Sequence, residues 1–155
     1  MKYLLLGLIV LAVATTAFAN DDRNSVNQTL NALHHNASIA NFDKYFSLYH
    51  DSAIFIGTDA SEVWTKEAFQ AYAKPHFDKG RGWTYQPRDR HVYFSSSHDV
   101  AWFDELLDNE SLGETRGTGV LIKEKGTWKV TQYHLTIPIP NAIADSVAQQ
   151  IKTMQ

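Results

Sequence analysis

The sequence predicts an α+β domain in which helices come first and an antiparallel meander follows. Two observations carry this. Val26, Leu30, Leu33 and Ala37 recur at three- and four-residue spacing, which lines them along one face of a helix. From residue 83 onward the period becomes two, and four such runs are joined by short polar turns, the spacing of consecutive antiparallel hairpins. Helices followed by a meander exclude an alternating parallel arrangement.

The chain opens with one positive charge at Lys2, an apolar run from Tyr3 to Val13, and the small-x-small triplet Ala17-Phe18-Ala19. This is the pattern of a signal peptide over residues 1–19, cut after Ala19. The run is shorter than the roughly 20 residues that a membrane-spanning helix needs. The expectation is a protein that is periplasmic or secreted, with no membrane attachment after cleavage and one domain over 20–155. Without cysteine it has neither a lipid attachment point nor a disulfide, so its core alone must hold it together.

The first helix is expected over about Ser25 to Ala40, capped by Asp21 or Asp22. Asn41-Phe42-Asp43 interrupts the pattern, and Tyr45, Phe46, Leu48 and Tyr49 suggest a short second helix. Ala53 to Thr58 reads as a first strand and Glu62 to Trp64 as a brief second one. Thr65 can cap a third helix whose apolar side carries Phe69, Tyr72, Ala73 and Phe77. The meander strands fall at about Trp83–Ser96, Val100–Asn109, Glu114–Lys123 and Trp128–Ile137. Pro138 and Pro140 stop the last of them. Ile143, Val147 and Ile151 at fourfold spacing mark a final helix.

Losing Lys2 with the signal leaves 13 basic against 17 acidic residues, a net charge of −4 with histidines neutral. A nucleic-acid partner needs a basic face, so none is expected. The histidines show no metal-ligand spacing, and no phosphate-binding loop, dinucleotide fingerprint or nucleophile elbow is present. Neither a metal nor a cofactor is expected.

Chemistry is sought on the inward side of the strands. Lys129 is charged, which assigns Trp128, Val130, Gln132, His134 and Thr136 to the inner face. The companion sets are Val100, Trp102, Asp104, Leu106 and Glu114, Arg116, Thr118, Val120, Ile122. On this phase Asp104, Arg116, Gln132 and His134 meet in an aromatic and aliphatic cavity. Asp104 or His134 would act as a general base or bind a ligand's polar group while Arg116 supplies the counter-charge. Equally, Asp104 and Arg116 would form a cross-strand ion pair, with His134 hydrogen-bonded in the core. Burying either member unpaired would cost several kcal/mol. Phe55, Trp64, Tyr72 and Trp102 are expected to line the ligand site. Phe103, Leu121, Tyr133 and Leu135 would then lie on the opposite, bare face and invite a homodimer.

The local sequences resemble a known family. Phe42-Asp43-x-Tyr45-Phe46, Phe55-Ile56-Gly57-Thr58-Asp59-x-x-Glu62-x-Trp64 and Ala101-Trp102-Phe103-Asp104-Glu105 are similar to the SnoaL-like branch of the nuclear-transport-factor-like superfamily. Gly117-x-Gly119-Val120-Leu121 and Trp128-Lys129-Val130-x-x-Tyr133-His134-Leu135 resemble its closing strands. The resemblance covers roughly residues 25–140. It implies N-terminal helices packed on a strongly curved antiparallel sheet that forms a conical cavity, a scaffold of isomerases, cyclases, dehydratases and non-catalytic binders, many of them dimers. Asp104 and His134 are the nearest equivalents, by strand position, of its catalytic groups. The three functions this leaves open are an exported domain binding a small apolar or aromatic molecule, an isomerase, cyclase or dehydratase, and a non-catalytic dimerisation module.

Overall fold

The computed structural model describes residues 21–154, so the expected signal segment 1–19 lies outside the described residues. Helix α1 spans 21–38, α2 Phe42–Ser47 and α3 Lys66–Phe77. The strands are β1 Tyr49–Ile56, β2 Val63–Thr65, β3 Gln86–Phe94, β4 Val100–Asn109, β5 Gly113–Glu124 and β6 Thr127–Thr136. A 3-10 turn at Asn141–Ile143 leads into α4, Ala144–Met154.

Each helix forms for a local reason. Val26, Leu30, Leu33 and Ala37 make the buried stripe of α1, and Arg23 donates to the Val92 carbonyl at 2.6 Å, fixing α1 to β3. Thr65 caps α3 by accepting from the Ala68 N–H at 3.2 Å. No residue of α4 is buried, and no helix among the described residues is long and apolar enough to cross a membrane.

The six strands form one sheet in the order β2-β1-β6-β5-β4-β3. The meander is antiparallel as expected, but β1 runs parallel to β6, pairing Phe55 with Tyr133 and Ile56 with His134, so the sheet is mixed. Irregularities bend it. Between Arg88 and His91, β3 carries one residue more than β4 opposite, with Asp89 at φ 48°. Between Val120 and Leu121 the partner jumps from Gln132 to Val130, so Thr131 is extra in β6. Each bulge curves its strand and re-aims the side chains beyond it.

The helices cover one face, and the burial pattern reverses the expected phase. On β4 the buried residues are Ala101, Phe103, Glu105 and Leu107, and on β5 they are Thr115, Gly117, Gly119 and Leu121. β6 begins in the expected phase, with Trp128 and Val130 buried, then switches at the Thr131 bulge to Tyr133 and Leu135. Trp102, Asp104, Arg116, Gln132 and His134 therefore stand on the outer face. Phe103, Leu121, Tyr133 and Leu135, expected on a bare face, belong to the core. A shift of one residue moves every side chain to the other side of a sheet.

Candidate functional site

Glu105 has no exposed surface, although a lone carboxylate in the interior would cost several kcal/mol. Three elements bring it partners. His34, on the buried stripe of α1, places Nε2 at 2.7 Å from Oε1. Arg90, turned inward after the β3 bulge, donates Nε–H to Oε2 at 2.7 Å. Tyr133, turned inward by the β6 bulge, donates its hydroxyl to Oε1 at 3.2 Å. The Arg90 Nη1 group reaches Asn31 Oδ1 at 2.8 Å, while Nη2 is buried with no partner. Gly117 makes room for the group, since a Cβ there would sit 2.4 Å from the Tyr133 hydroxyl and 3.1 Å from Glu105 Oε1.

Electrostatics follow from this packing. Burial pushes the Glu105 carboxyl up, but the bond and charge of His34 and the charge and bond of Arg90 outweigh it. The group lies below its ordinary value and is ionised at neutral pH. His34 must therefore carry its proton on Nε2. Burial and the Glu105 charge push the Tyr133 phenol well up, so it remains a donor.

Above this polar floor the cone is aromatic. A throat of about 30 Å³, lined by Leu33, His34, Tyr45, Phe55, Trp83 and Tyr133 among others, has room for little more than a water. Tyr45 and Tyr49 bond to each other through their hydroxyls at 2.9 Å beside it. The throat shares Phe55, Trp83, Tyr85 and Leu135 with a wider cavity of about 190 Å³ that opens to solvent. Its walls include Trp64, Phe69 and Tyr72, with Phe55 stacked on Phe69 at 4.0 Å. Glu62, on the loop between β1 and β2, is the one ionisable carboxyl at its edge. His34 also borders a shallow outer groove with Asn31, His35 and Thr84.

Of the residues singled out in the sequence, Phe55, Trp64 and Tyr72 meet in this cavity. The other five do not. Asp104 faces outward beside His91 Nδ1 at 3.1 Å, Arg116 and Gln132 are exposed, His134 is half-buried on the outer face, and Trp102 stacks on Tyr93 there. Their expected convergence with Arg116 as counter-charge is replaced by Glu105 with Arg90. Glu105 was legible as the charged member of the set Ala101, Phe103, Glu105, Leu107, and His34 as a polar insertion in the stripe Leu30, Leu33, Ala37. Arg90 had no such signal, because a bulge sets its direction. Among the described residues, no three metal-binding side chains converge.

An aromatic cone closed by helices over a curved mixed sheet, with an ionised floor, defines a class of small α+β pocket proteins. The chain belongs to the SnoaL-like domain family, whose model matches residues 26–140. Among curated proteins none matches significantly. Its fold is that of a Streptomyces avermitilis protein of the NTF2-like family described as a candidate dehydratase, at 14% identity over 79% of this chain and 99% of that one, TM-score 0.68. A candidate scytalone dehydratase from Novosphingobium aromaticivorans is similar at 11% identity, covering 80% and 89%, TM-score 0.67. An NTF2-like protein from Cytophaga hutchinsonii reaches 19% identity over 75% and 98%, TM-score 0.60. Identities this low carry the fold and not the activity.

Proposed function

We propose that the protein is an exported binding domain for a small, partly apolar molecule, seated in the aromatic cavity between α3, β1 and the 83–85 segment. The observation that carries this reading is the open cavity of about 190 Å³ whose lining is dominated by aromatic rings. Apolar pockets with a few polar groups at one end are the usual form of small-molecule sites. The neutral aromatic probe naphthol should quench tryptophan fluorescence, because Trp64 and Trp83 lie in the wall. Trp64→Ala should weaken binding by roughly two- to tenfold, the loss of one stacked ring at about 0.5–1.5 kcal/mol, and Trp102→Ala on the outer face should leave it unchanged. Equal effects of the two substitutions would refute the site. Export is supported by the Lys2, Tyr3 to Val13 and Ala17-Phe18-Ala19 pattern, and a mature N-terminus at Asn20 tests it. A homodimer would form through the outer sheet face, where Trp102 and Tyr93 are about half exposed; a monomer in light scattering at micromolar concentration would refute it.

A second reading as an isomerase, cyclase or dehydratase rests on one specific feature. An imidazole oriented by a buried carboxylate at 2.7 Å is an arrangement suited to general base work. The proton-transfer role expected of Asp104 or His134 would pass to His34, which lines the throat. Turnover of an enolisable ketone that disappears in His34→Gln and survives in His134→Gln would support it, and turnover unaffected by His34→Gln would exclude it.

A further inference from the structure

The cavity is chemically one-sided. Six rings, Phe55, Trp64, Phe69, Tyr72, Trp83 and Tyr85, form its wall, and Glu62 sits at its edge, whereas no lysine, arginine or histidine lines it. Glu62 is held in place by the chain. Its Oε2 accepts from the Asp59 N–H at 3.3 Å, its backbone carbonyl accepts from the Gly57 N–H at 2.9 Å, and its carboxylate folds over Gly57 so closely that a Cβ there would lie 2.0 Å from Oε2. None of the ion pairs among the described residues involves it. The cation–π contacts of the described residues lie on Phe94, Phe42 and Trp128, so among these residues no lysine or arginine stands over a cavity ring, while the His76 imidazole packs against Tyr72 at 5.4 Å. The deeper carboxylate, Glu105, is compensated by Arg90 and His34 and offers no net attraction of its own.

Ring faces carry negative potential and attract cations. Adding an uncompensated carboxylate at the same opening selects for positive charge on the ligand. The lining also selects the kind of cation. A primary ammonium would bring three N–H donors into a site walled by hydrocarbon, and unmet donors are costly to bury. A quaternary ammonium brings methyl groups and spread charge with no donor to satisfy, and a tertiary one keeps a single N–H, which the Glu62 carboxylate can accept.

We propose that this cavity takes a compact quaternary or tertiary ammonium ion, held by the aromatic wall and paired with Glu62. The proposal rests on the cavity being the ligand site and names the ligand's chemistry.

Three probes separate the contributions: choline; tert-butylethanol, of matched size, in which carbon replaces the charged nitrogen; and ethanolamine, which keeps the charge but carries N–H donors in place of the methyl groups. Titrations of the mature protein, read by tryptophan fluorescence and calorimetry, should show choline binding about tenfold more tightly than tert-butylethanol, the size of a partly desolvated cation–π contact. Ethanolamine should bind more weakly than choline. Glu62→Gln should reduce the preference for choline to the part that the rings supply, while leaving tert-butylethanol affinity unchanged. Equal affinities for choline and tert-butylethanol, or a preference undiminished in Glu62→Gln, would overturn the inference. If naphthol still binds, those outcomes leave the cavity reading standing; if neither naphthol nor choline binds, both fall.

Discussion

Arg90→Met tests the polar floor most directly. The guanidinium donates to Glu105 Oε2 at 2.7 Å and to Asn31 at 2.8 Å, and its side chain is only 10% exposed, so solvent screening does little to weaken the pair. Removing it leaves a fully buried carboxylate with His34 and Tyr133 alone. Breaking a buried pair on one side costs about 3–5 kcal/mol. Urea slopes for small proteins are about 1–3 kcal/mol per molar, so the unfolding midpoint should fall by roughly 2 M at neutral pH. The pH dependence has a definite sign. Glu105 is held below its ordinary value when folded, so its contribution is present above the unfolded value of about 4.3 and is lost as pH falls through the folded one. Losing the arginine raises the folded carboxyl, and protonation then relieves the burden, so the deficit of Arg90→Met should shrink as pH is lowered. Arg116→Met is the control. Arg116 is exposed, and its removal should cost less than about 0.5 kcal/mol at either pH. A deficit for Arg90→Met below about 1 kcal/mol, or one that is flat with pH, would refute the account of the floor. Should that variant fail to fold, Arg90→Lys, which keeps the charge and loses the fork, should show a smaller deficit of the same sign.

Gly117→Ala should destabilise the fold by about 1–3 kcal/mol, because its Cβ would force the Tyr133 hydroxyl away from Glu105, and urea unfolding measures this. Burial pushes the phenols of Tyr45, Tyr49 and Tyr133 above their ordinary value. Their contribution is therefore complete below the unfolded value of about 10 and is lost as pH rises beyond it. An absorbance titration should show these tyrosines ionising together with unfolding, and smooth ionisation near pH 10 in an intact fold would contradict this. Deleting residues 144–154 should change stability by less than about 1 kcal/mol, since no residue of α4 is buried, and the thermal midpoint checks it.

The sequence by itself determined the order and type of the elements, because those follow from local periodicity and punctuation. The fourth strand is found where it was expected, Val100–Asn109, and Thr65 caps α3 as its position before Glu67 and Phe69 suggested. The aromatic wall was partly legible, since Phe55, Trp64 and Tyr72 lie on neighbouring elements whose apolar sides must meet. Tertiary structure alone decided which face of the sheet points inward. In Val100-Ala101-Trp102-Phe103-Asp104-Glu105-Leu106-Leu107 both phases contain an aromatic, aliphatics and one carboxylate, so alternation is equally satisfied by Asp104 or by Glu105. The choice falls to partners 71 and 15 residues away, His34 and Arg90, which can neutralise Glu105 in the interior, whereas Asp104 meets His91 near solvent. The bulges that turn Arg90 and Tyr133 inward arise from strand pairing, and a residue inserted by pairing leaves no mark in the composition of its own strand.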